Sequence, residues 1–167
     1  MTEEIHKMET PVYVPDPSYR DYRWMGDYET VYRESVENPE KFWEGIAGEL
    51  EWDRKWDSVL EWNYPDAKWF SGAKLNITKN CLDRHVLNSR KNKVALIWKG
   101  DDGTERIFTY RQLFREVMQF ANGLKKLGIK KGDRICFYMP FVPEHIIAIL
   151  ACARIGAVHT IVYAGFG

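Results

Sequence analysis

The architecture of the chain follows from one segment, residues 134–163, which reads RICFYMPFVPEHIIAILACARIGAVHTIVY. Its two ends, residues 134–139 and 157–163, are apolar and rich in β-branched and aromatic side chains, which predicts two strands. Between them, Pro143 predicts the first turn of a helix and Gly156 predicts its end. Two apolar strands joined by a helix form a βαβ unit, so we expect a parallel sheet with a right-handed crossover.

A second mixed pattern precedes this unit. Residues 94–98 (VALIW) and 105–108 (ERIF) flank the turn sequence KGDDGT and predict a β-hairpin. Thr109 and Gln112 have the spacing of a capping box, which marks the start of a helix. Apolar residues then recur at i, i+3, i+4 and i+7 as far as Gly128, which is typical of an amphipathic helix packed on a sheet.

Residues 1–80 have a different character, because they hold 14 of the 24 aromatic side chains and six of the seven tryptophans. Asp27 predicts the N-cap of one short helix, and Asn38-Pro39 predicts the start of another. The tryptophans of residues 52–70 fit no single helix face. We therefore interpret that stretch as an irregular segment whose aromatic rings pack against a larger body.

These patterns predict an α/β fold in two parts. Residues 1–80 form an aromatic-rich, mostly helical or irregular N-terminal extension. Residues 81–167 form a β-hairpin and the first βαβ units of an incomplete larger sheet that contains parallel strands. Ligands bind such sheets beyond the carboxyl ends of the strands, which here are residues 139–142 and 163–167.

The charge balance excludes some partners. Lys+Arg and Asp+Glu both number 24, so the formal charge is zero and nothing indicates a nucleic-acid partner. Residues 1–57 hold 15 acidic and 7 basic side chains, whereas residues 58–167 hold 9 and 17. This split fits two solvated faces, and opposed surfaces that meet each other or a third party are the alternative. No apolar run reaches the roughly 18 residues of a membrane span, so no membrane partner is expected.

The cysteines predict a reducing compartment. The three of them, Cys81, Cys136 and Cys152, are odd in number and lie in no C-x-x-C motif, which argues against a disulfide scaffold or a zinc site. Cys136 and Cys152 lie in apolar runs and are expected to be buried. The acidic start MTEEIHKMET does not look like a signal peptide. We therefore expect a cytoplasmic protein.

Residue chemistry alone predicts no catalytic site. The sequence has no G-x-G-x-x-G after a strand, no G-x-x-x-x-G-K-[ST] and no G-x-S-x-G, so three common nucleotide and nucleophile motifs are absent. Glu144 is interpreted as a first-turn carboxylate favoured by the helix dipole. His85, His145 and His159 are interpreted as structural histidines. No catalytic residue and no metal ligand is predicted.

Several motifs together carry a specific resemblance: WFSGAKLNITKNCLDRH at 69–85, TYRQL at 109–113, YMPFVPE at 138–144 and ACARIGAVH at 151–159. With them, residues 13–167 resemble the N-terminal part of AMP-forming acetyl-coenzyme A synthetases, within the adenylate-forming acyl-CoA synthetase superfamily. The resemblance implies a ligase that uses ATP, Mg²⁺ and coenzyme A (CoA) to convert acetate to acetyl-CoA, AMP and pyrophosphate through acetyl-adenylate.

One site is implied by the resemblance. In the family the loop after the second strand lies against the adenine end of CoA and usually reads Phe-Gly-Gly-Phe-Ser. The matching residues here are Tyr163, Ala164 and Gly165, and Gly167 stands where the family has serine. The family's phosphate loop and catalytic lysine have no counterpart in these 167 residues. None of the cofactors is therefore expected to bind tightly.

Two classes of function stay open at this point. The first is a truncated piece of an acetate–CoA ligase, or of a propionate-type acyl-CoA synthetase, that is inactive alone. The second is a non-catalytic binding or assembly module that docks a partner supplying the rest of the enzyme. In both, the small-molecule partners of the whole ligase would be acetate, ATP and CoA. An uncovered sheet edge also predicts self-association.

Overall fold

The computed structural model describes residues 16, 18, 26–163 and 165, and the chain divides into two compact units, Met1–Trp43 and Glu44–Gly167. In the first unit, helix α1 (Tyr28–Glu37) begins as predicted at Asp27, whose carboxylate accepts a hydrogen bond from the Thr30 N–H at 3.0 Å. Helix α2 (Pro39–Ala47) starts in the first unit and ends in the second. Its first residue is the predicted proline.

The stretch 52–70, predicted as irregular, is irregular only over residues 52–57, and the rest of it forms strands. Strand β1 (Ser58–Asn63) and strand β2 (Asp66–Ser71) pair as an antiparallel hairpin around a cis Tyr64–Pro65 peptide. The register places Leu60 opposite Trp69 and Glu61 opposite Lys68. Apolar and polar pairs therefore alternate between the two faces, which is the periodicity of a strand. The prediction was wrong for these residues because Trp62 and Trp69 share one face of a strand pair, and this arrangement does not follow a helical period.

Three of the aromatic rings that were expected to pack, those of Trp52, Trp56 and Phe70, lie in contact beside this hairpin. The rings of Trp52 and Trp56 lie 5.3 Å apart, and the Phe70 ring lies 5.6 Å from the first and 5.1 Å from the second. Phe70 has a positive φ of 51°, a conformation that is costly for a bulky side chain. Trp62, by contrast, is 67% exposed near the hairpin turn.

The segment that follows β2 is helical over residues 79–92 and is built from three short pieces. A π-helical turn (Lys79–Asp83) leads into helix α3 (Arg84–Val86), and a 3₁₀ turn (Ser89–Asn92) follows. The wide turn places Leu82 in the main core, where its side chain is almost fully buried.

The second mixed pattern is confirmed. Strand β3 (Val94–Lys99) and strand β4 (Glu105–Thr109) form an antiparallel hairpin, and helix α4 (Tyr110–Lys126) follows directly. Thr109 and Gln112 form both hydrogen bonds of the capping box. Just beyond the end of α4, Gly128 has a φ of 89°, a left-handed conformation for which glycine is suited.

The βαβ unit is also confirmed. Strand β5 (Arg134–Met139), helix α5 (Pro143–Ile155) and strand β6 (Val158–Tyr163) follow one another, and the two strands pair in parallel. Gly156 is the left-handed C-cap of α5, with a φ of 76°. The Asn76 side-chain amide donates to the carbonyl oxygens of the last turn of α5, at 3.0 and 3.3 Å.

The core lies between α4, α5 and the sheets that they cover. Arg154 ties α5 to the π-helical turn, because its guanidinium pairs with the Asp83 carboxylate while both side chains are largely buried. The same guanidinium lies 5.3 Å above the centre of the Phe114 ring of α4. Most of the buried apolar residues in the described part of the chain form two clusters: Leu82, Leu113, Val117, Ala121, Ile147 and Ala151 in one, and Phe137, Ala148, Cys152 and Ala157 in the other.

The cysteine predictions are only half right. Cys152 is fully buried in α5, but Cys136 is exposed. Successive side chains of a strand point to opposite faces. Phe137 of β5 packs against α5, and its neighbour Cys136 therefore faces the other side of the sheet.

Candidate functional site

The carboxyl edge of the parallel sheet is the first candidate site. Met139 and Tyr163 are paired at the ends of β5 and β6, so the loops that leave both strands start side by side. Tyr163 ends β6, and Ala164 lies outside the described residues. Gly165 is exposed with a φ of 125°, and among the described residues no atom lies within 4 Å of where a Cβ would stand. The described residues therefore leave the backbone at Gly165 uncovered, while the CoA role of Tyr163, Ala164 and Gly165 stays a prediction.

The loop between β5 and α5 is held by the β3–β4 hairpin. The Trp98 indole N–H of β3 donates to the Phe141 carbonyl oxygen at 2.6 Å. The Arg106 guanidinium of β4 pairs with the Glu144 carboxylate at 2.7 Å. The hydrogen bond connects the β3–β4 hairpin to the β5–α5 loop, and the ion pair connects it to the first turn of α5. The sequence did not predict them, because the partners are about 40 residues apart and no local pattern relates them.

Besides the helix dipole, the Arg106 guanidinium stabilises the charged form of Glu144. The hydrogen bond from Arg106 holds the pKa of the Glu144 carboxyl below its usual range. A carboxylate in a first helical turn is also favoured by the dipole, so both effects stabilise the charged form. The group is a fixed negative charge and is poorly suited to donate a proton.

The rings of His145 and His159 both lie near the Phe137 ring, with centroids 6.1 Å away in each case. His145 is buried in the first turn of α5, its Nε2 has no hydrogen-bond partner, and its ring stacks on Phe141. His159 is half-buried in β6. The contacts of both imidazoles that the structure shows are with aromatic rings, which fits the structural role interpreted from the sequence.

A second concave feature lies at the amino edge of the same sheet. It is a cleft of about 760 Å³ beside the end of α5, between Lys131 and the segment around Lys74. Asp53, which also lines it, pairs with Lys79. The described residues that line the cleft include no Ser, Thr, Cys or His. The described lining therefore offers no hydroxyl or thiol nucleophile and no imidazole base.

Two further properties concern the described residues alone. No group of three or more His, Cys, Asp or Glu side chains among them is placed to hold a metal ion. None of the helices in this part of the chain combines the length and the apolar character that crossing a membrane requires.

Comparison with known families defines the class of protein. The family model described as AMP-binding enzyme matches residues 82–167, and the one described as acetyl-coenzyme A synthetase N-terminus matches residues 28–81. The chain therefore belongs to the AMP-binding enzyme family.

Within that family the chain is similar to the N-terminal region of acetyl-coenzyme A synthetases. It is 55% identical to the acetyl-coenzyme A synthetase of Chlorobaculum tepidum over 142 residues, which cover 85% of this chain and 22% of that protein. It is 48% identical to that of Gemmatimonas aurantiaca over 163 residues, covering 98% of this chain and 25% of that protein. The chain thus spans about a quarter of the length of these relatives.

A solved structure supports the fold. The acetoacetyl-CoA synthetase from Streptomyces lividans superposes with a TM-score of 0.79 at 29% identity, covering 90% of this chain and 23% of that one. The predicted α/β class is confirmed, as is the resemblance to the N-terminal part of an acetyl-CoA synthetase.

Proposed function

We propose that this chain is the N-terminal part of an AMP-forming acetate–CoA ligase. The supporting observation is the similarity to acetyl-coenzyme A synthetases, at 55% identity over 85% of the chain in one case. In the family reaction, a carboxylate of acetate attacks the α-phosphorus of ATP and releases pyrophosphate, and the CoA thiol then displaces AMP from acetyl-adenylate. Mg²⁺ neutralises phosphate charge in such chemistry. The residues present here contribute scaffold and binding rather than a reacting group.

We also propose that CoA meets this chain at Tyr163, Ala164 and Gly165. The carboxyl edge of a parallel sheet is where ligands bind, and Tyr163 ends β6 at that edge. The open backbone at Gly165 allows close approach. The sequence holds no phosphate loop, and we therefore expect neither ATP nor CoA to bind tightly to these 167 residues alone.

The domain boundary near residue 80 is a further proposal. It is supported by the two family matches, which meet between residues 81 and 82. A cytoplasmic location is proposed as well. It is supported by the free thiols of Cys81, Cys136 and Cys152, which suit a reducing compartment.

The test is acetate-dependent exchange between ATP and pyrophosphate. The 167-residue protein alone is expected to give none. A chimera in which residues 28–167 replace the matching part of the Chlorobaculum tepidum synthetase is expected to catalyse exchange and to form acetyl-CoA, faster with acetate than with propionate. Robust exchange by the 167-residue protein, or a folded chimera without activity, would contradict the proposal.

The same reagents distinguish the assembly-module alternative. The remainder of the relative, produced as a separate chain, is mixed with this protein. Activity restored in trans by the mixture favours a module that docks a partner, whereas activity only in the single-chain chimera favours a covalent part of one ligase.

A further inference from the structure

We infer that the cleft at the amino edge of the β5–β6 sheet binds a small molecule that carries a phosphate or diphosphate group. Lys74 and Lys131, the two lysines of its described lining, supply the positive charge that holds this group. The inference stands independently of the proposed function, since it rests on the volume of the cleft and on the charges that line it.

The cleft has the size of a small-molecule pocket. Its volume of about 760 Å³ lies within the range of roughly 300–1,000 Å³ that is usual for ligand sites. Small residues at four lining positions leave this space free: Ala73, Ala153, Gly156 and Ala157. Leu75 and Ile77 add apolar surface beside them. The space is therefore sufficient for a diphosphate, or for a phosphate ester together with its organic part.

The lining carries two positive charges that no described group neutralises. Its charged side chains are Asp53, Lys74, Lys131 and Arg154. The charge of Asp53 is compensated by Lys79, and the Arg154 guanidinium is compensated by the carboxylate of Asp83. Within the described part of the chain, neither Lys74 nor Lys131 has an ion-pair partner. A ligand with two negative charges therefore balances the lining.

The end of helix α5, which also lines the cleft, repels an anion less than a free helix end would. A helix C-terminus carries partial negative charge because its last carbonyl groups are unpaired. Here the Asn76 side-chain amide donates to the carbonyl oxygens of Ala153 and Arg154, at 3.3 and 3.0 Å. The Gly156 carbonyl oxygen accepts from the Gly132 N–H at 2.9 Å. These oxygens are paired within the protein and present less negative charge to the cleft.

Both lysines are held near the backbone. The Lys74 N–H donates to the Arg54 carbonyl oxygen at 2.9 Å, and the Lys74 carbonyl oxygen accepts from the Asp53 N–H at 2.8 Å. The stem of Lys131 lies against Gly156, where a Cβ would stand 2.9 Å from the Lys131 Cγ. Glycine at position 156 thus leaves room for this stem. A side chain that is partly fixed before binding loses less conformational entropy when it contacts a ligand.

The experiment is an NMR titration of the ¹⁵N-labelled 167-residue protein with two probes, inorganic pyrophosphate and AMP. Divalent cations are left out and the ionic strength is held constant with sodium chloride. We expect saturable shifts at the backbone amides of Lys74, Lys131 and Gly156 at millimolar concentrations of probe. Affinity should fall as salt is raised, because the lysines are exposed. Tighter binding of pyrophosphate indicates a free diphosphate as the ligand, whereas tighter binding of AMP indicates a phosphate ester.

The variants separate this site from general attraction to positive charge. Lys74→Gln and Lys131→Gln are each expected to weaken binding about tenfold. Ile77→Glu keeps both lysines but places a negative charge at an exposed position of the lining, and should also weaken binding. Lys91→Gln removes one positive charge at an exposed position that does not line the cleft. It is the matched control and should leave the affinity unchanged.

Three results would overturn the inference. The first is that neither probe causes shifts at the cleft at millimolar concentrations. The second is full affinity in the double variant Lys74→Gln with Lys131→Gln. The third is an equal loss in Lys91→Gln, since binding would then follow net charge alone. Because all the substituted side chains are exposed, the variants are expected to fold, and unchanged chemical shifts away from the cleft verify this. The chimera tests the ligase assignment separately.

Discussion

One histidine is expected to contribute to the pH dependence of folding stability. The Nδ1 atom of His85 is buried without a hydrogen-bond partner, and the ring lies 4.7 Å from the Tyr110 ring. Burial lowers the pKa of His85 below its ordinary 6.5, and the positive charges of Arg84 and Arg90 lower it further. The neutral form is therefore preferred in the folded state.

This shift gives a signed prediction. Well above pH 6.5 the imidazole is neutral in both the folded and the unfolded state and does not change the free energy of unfolding. As the pH falls below 6.5, the unfolded chain takes up the proton first, so folding stability is lost until the folded pKa is passed. The urea midpoint of the natural protein should fall more between pH 8 and pH 5.5 than that of His85→Gln. Equal falls in both proteins would show that other groups cause the acid sensitivity.

Individual residues were predictable where a local rule determines them. Asp27 and Thr109 cap helices, and Gly156 adopts the left-handed C-cap, because each role depends on a few neighbouring residues. The contact of Trp98 with Phe141 was not predictable, since it depends on how two separate elements pack. The sequence therefore predicted where the candidate site lies, at one edge of the sheet. It did not predict the contacts that hold the β5–α5 loop there.

At the scale of elements, the capping box should contribute measurably to α4. The Thr109 hydroxyl accepts from the Gln112 N–H at 3.3 Å, and the Gln112 side chain accepts from the Thr109 N–H at 2.9 Å. Thr109→Ala removes the cap and should lower the free energy of unfolding by about 1 kcal/mol. Thr109→Ser keeps the hydroxyl and should retain most of that stability. Urea denaturation followed by circular dichroism measures both, and an equal loss in the two variants would contradict the cap.

Some helices and strands could be predicted from the sequence and others could not. The βαβ unit was predicted because its strands are continuous apolar runs and its helix has a proline start and a glycine end. The β1–β2 hairpin was missed because its apolar face is built from Leu60 and tryptophans rather than from β-branched residues. Its turn, around Pro65, also differs from the Asn-Gly type that marks short hairpins.

At the scale of the whole molecule, one face of the β5–β6 sheet lies uncovered in the described part of the chain. Ile135, Phe137 and Met139 pack towards α5. Every residue of the opposite face is exposed: Arg134, Cys136, Tyr138, Val158, Thr160 and Val162. This face is mostly apolar, and a sheet face of that kind usually packs against another layer. The net formal charge of zero gives two copies no electrostatic reason to stay apart.

We therefore expect the isolated protein to self-associate through this face near neutral pH. Tyr138 and Val162 are paired across the strands at its centre, with 64% and 39% of their surfaces exposed. The double variant Tyr138→Glu with Val162→Lys places an opposite-charge pair there and should shift the protein towards monomer in sedimentation equilibrium. A matched pair on the other hairpin, Ile97→Glu with Ile107→Lys, also lies at paired and exposed positions and should leave association unchanged. A natural protein that is monomeric at high micromolar concentration would contradict the prediction, and equal effects of both pairs would show that the β5–β6 face is not the interface.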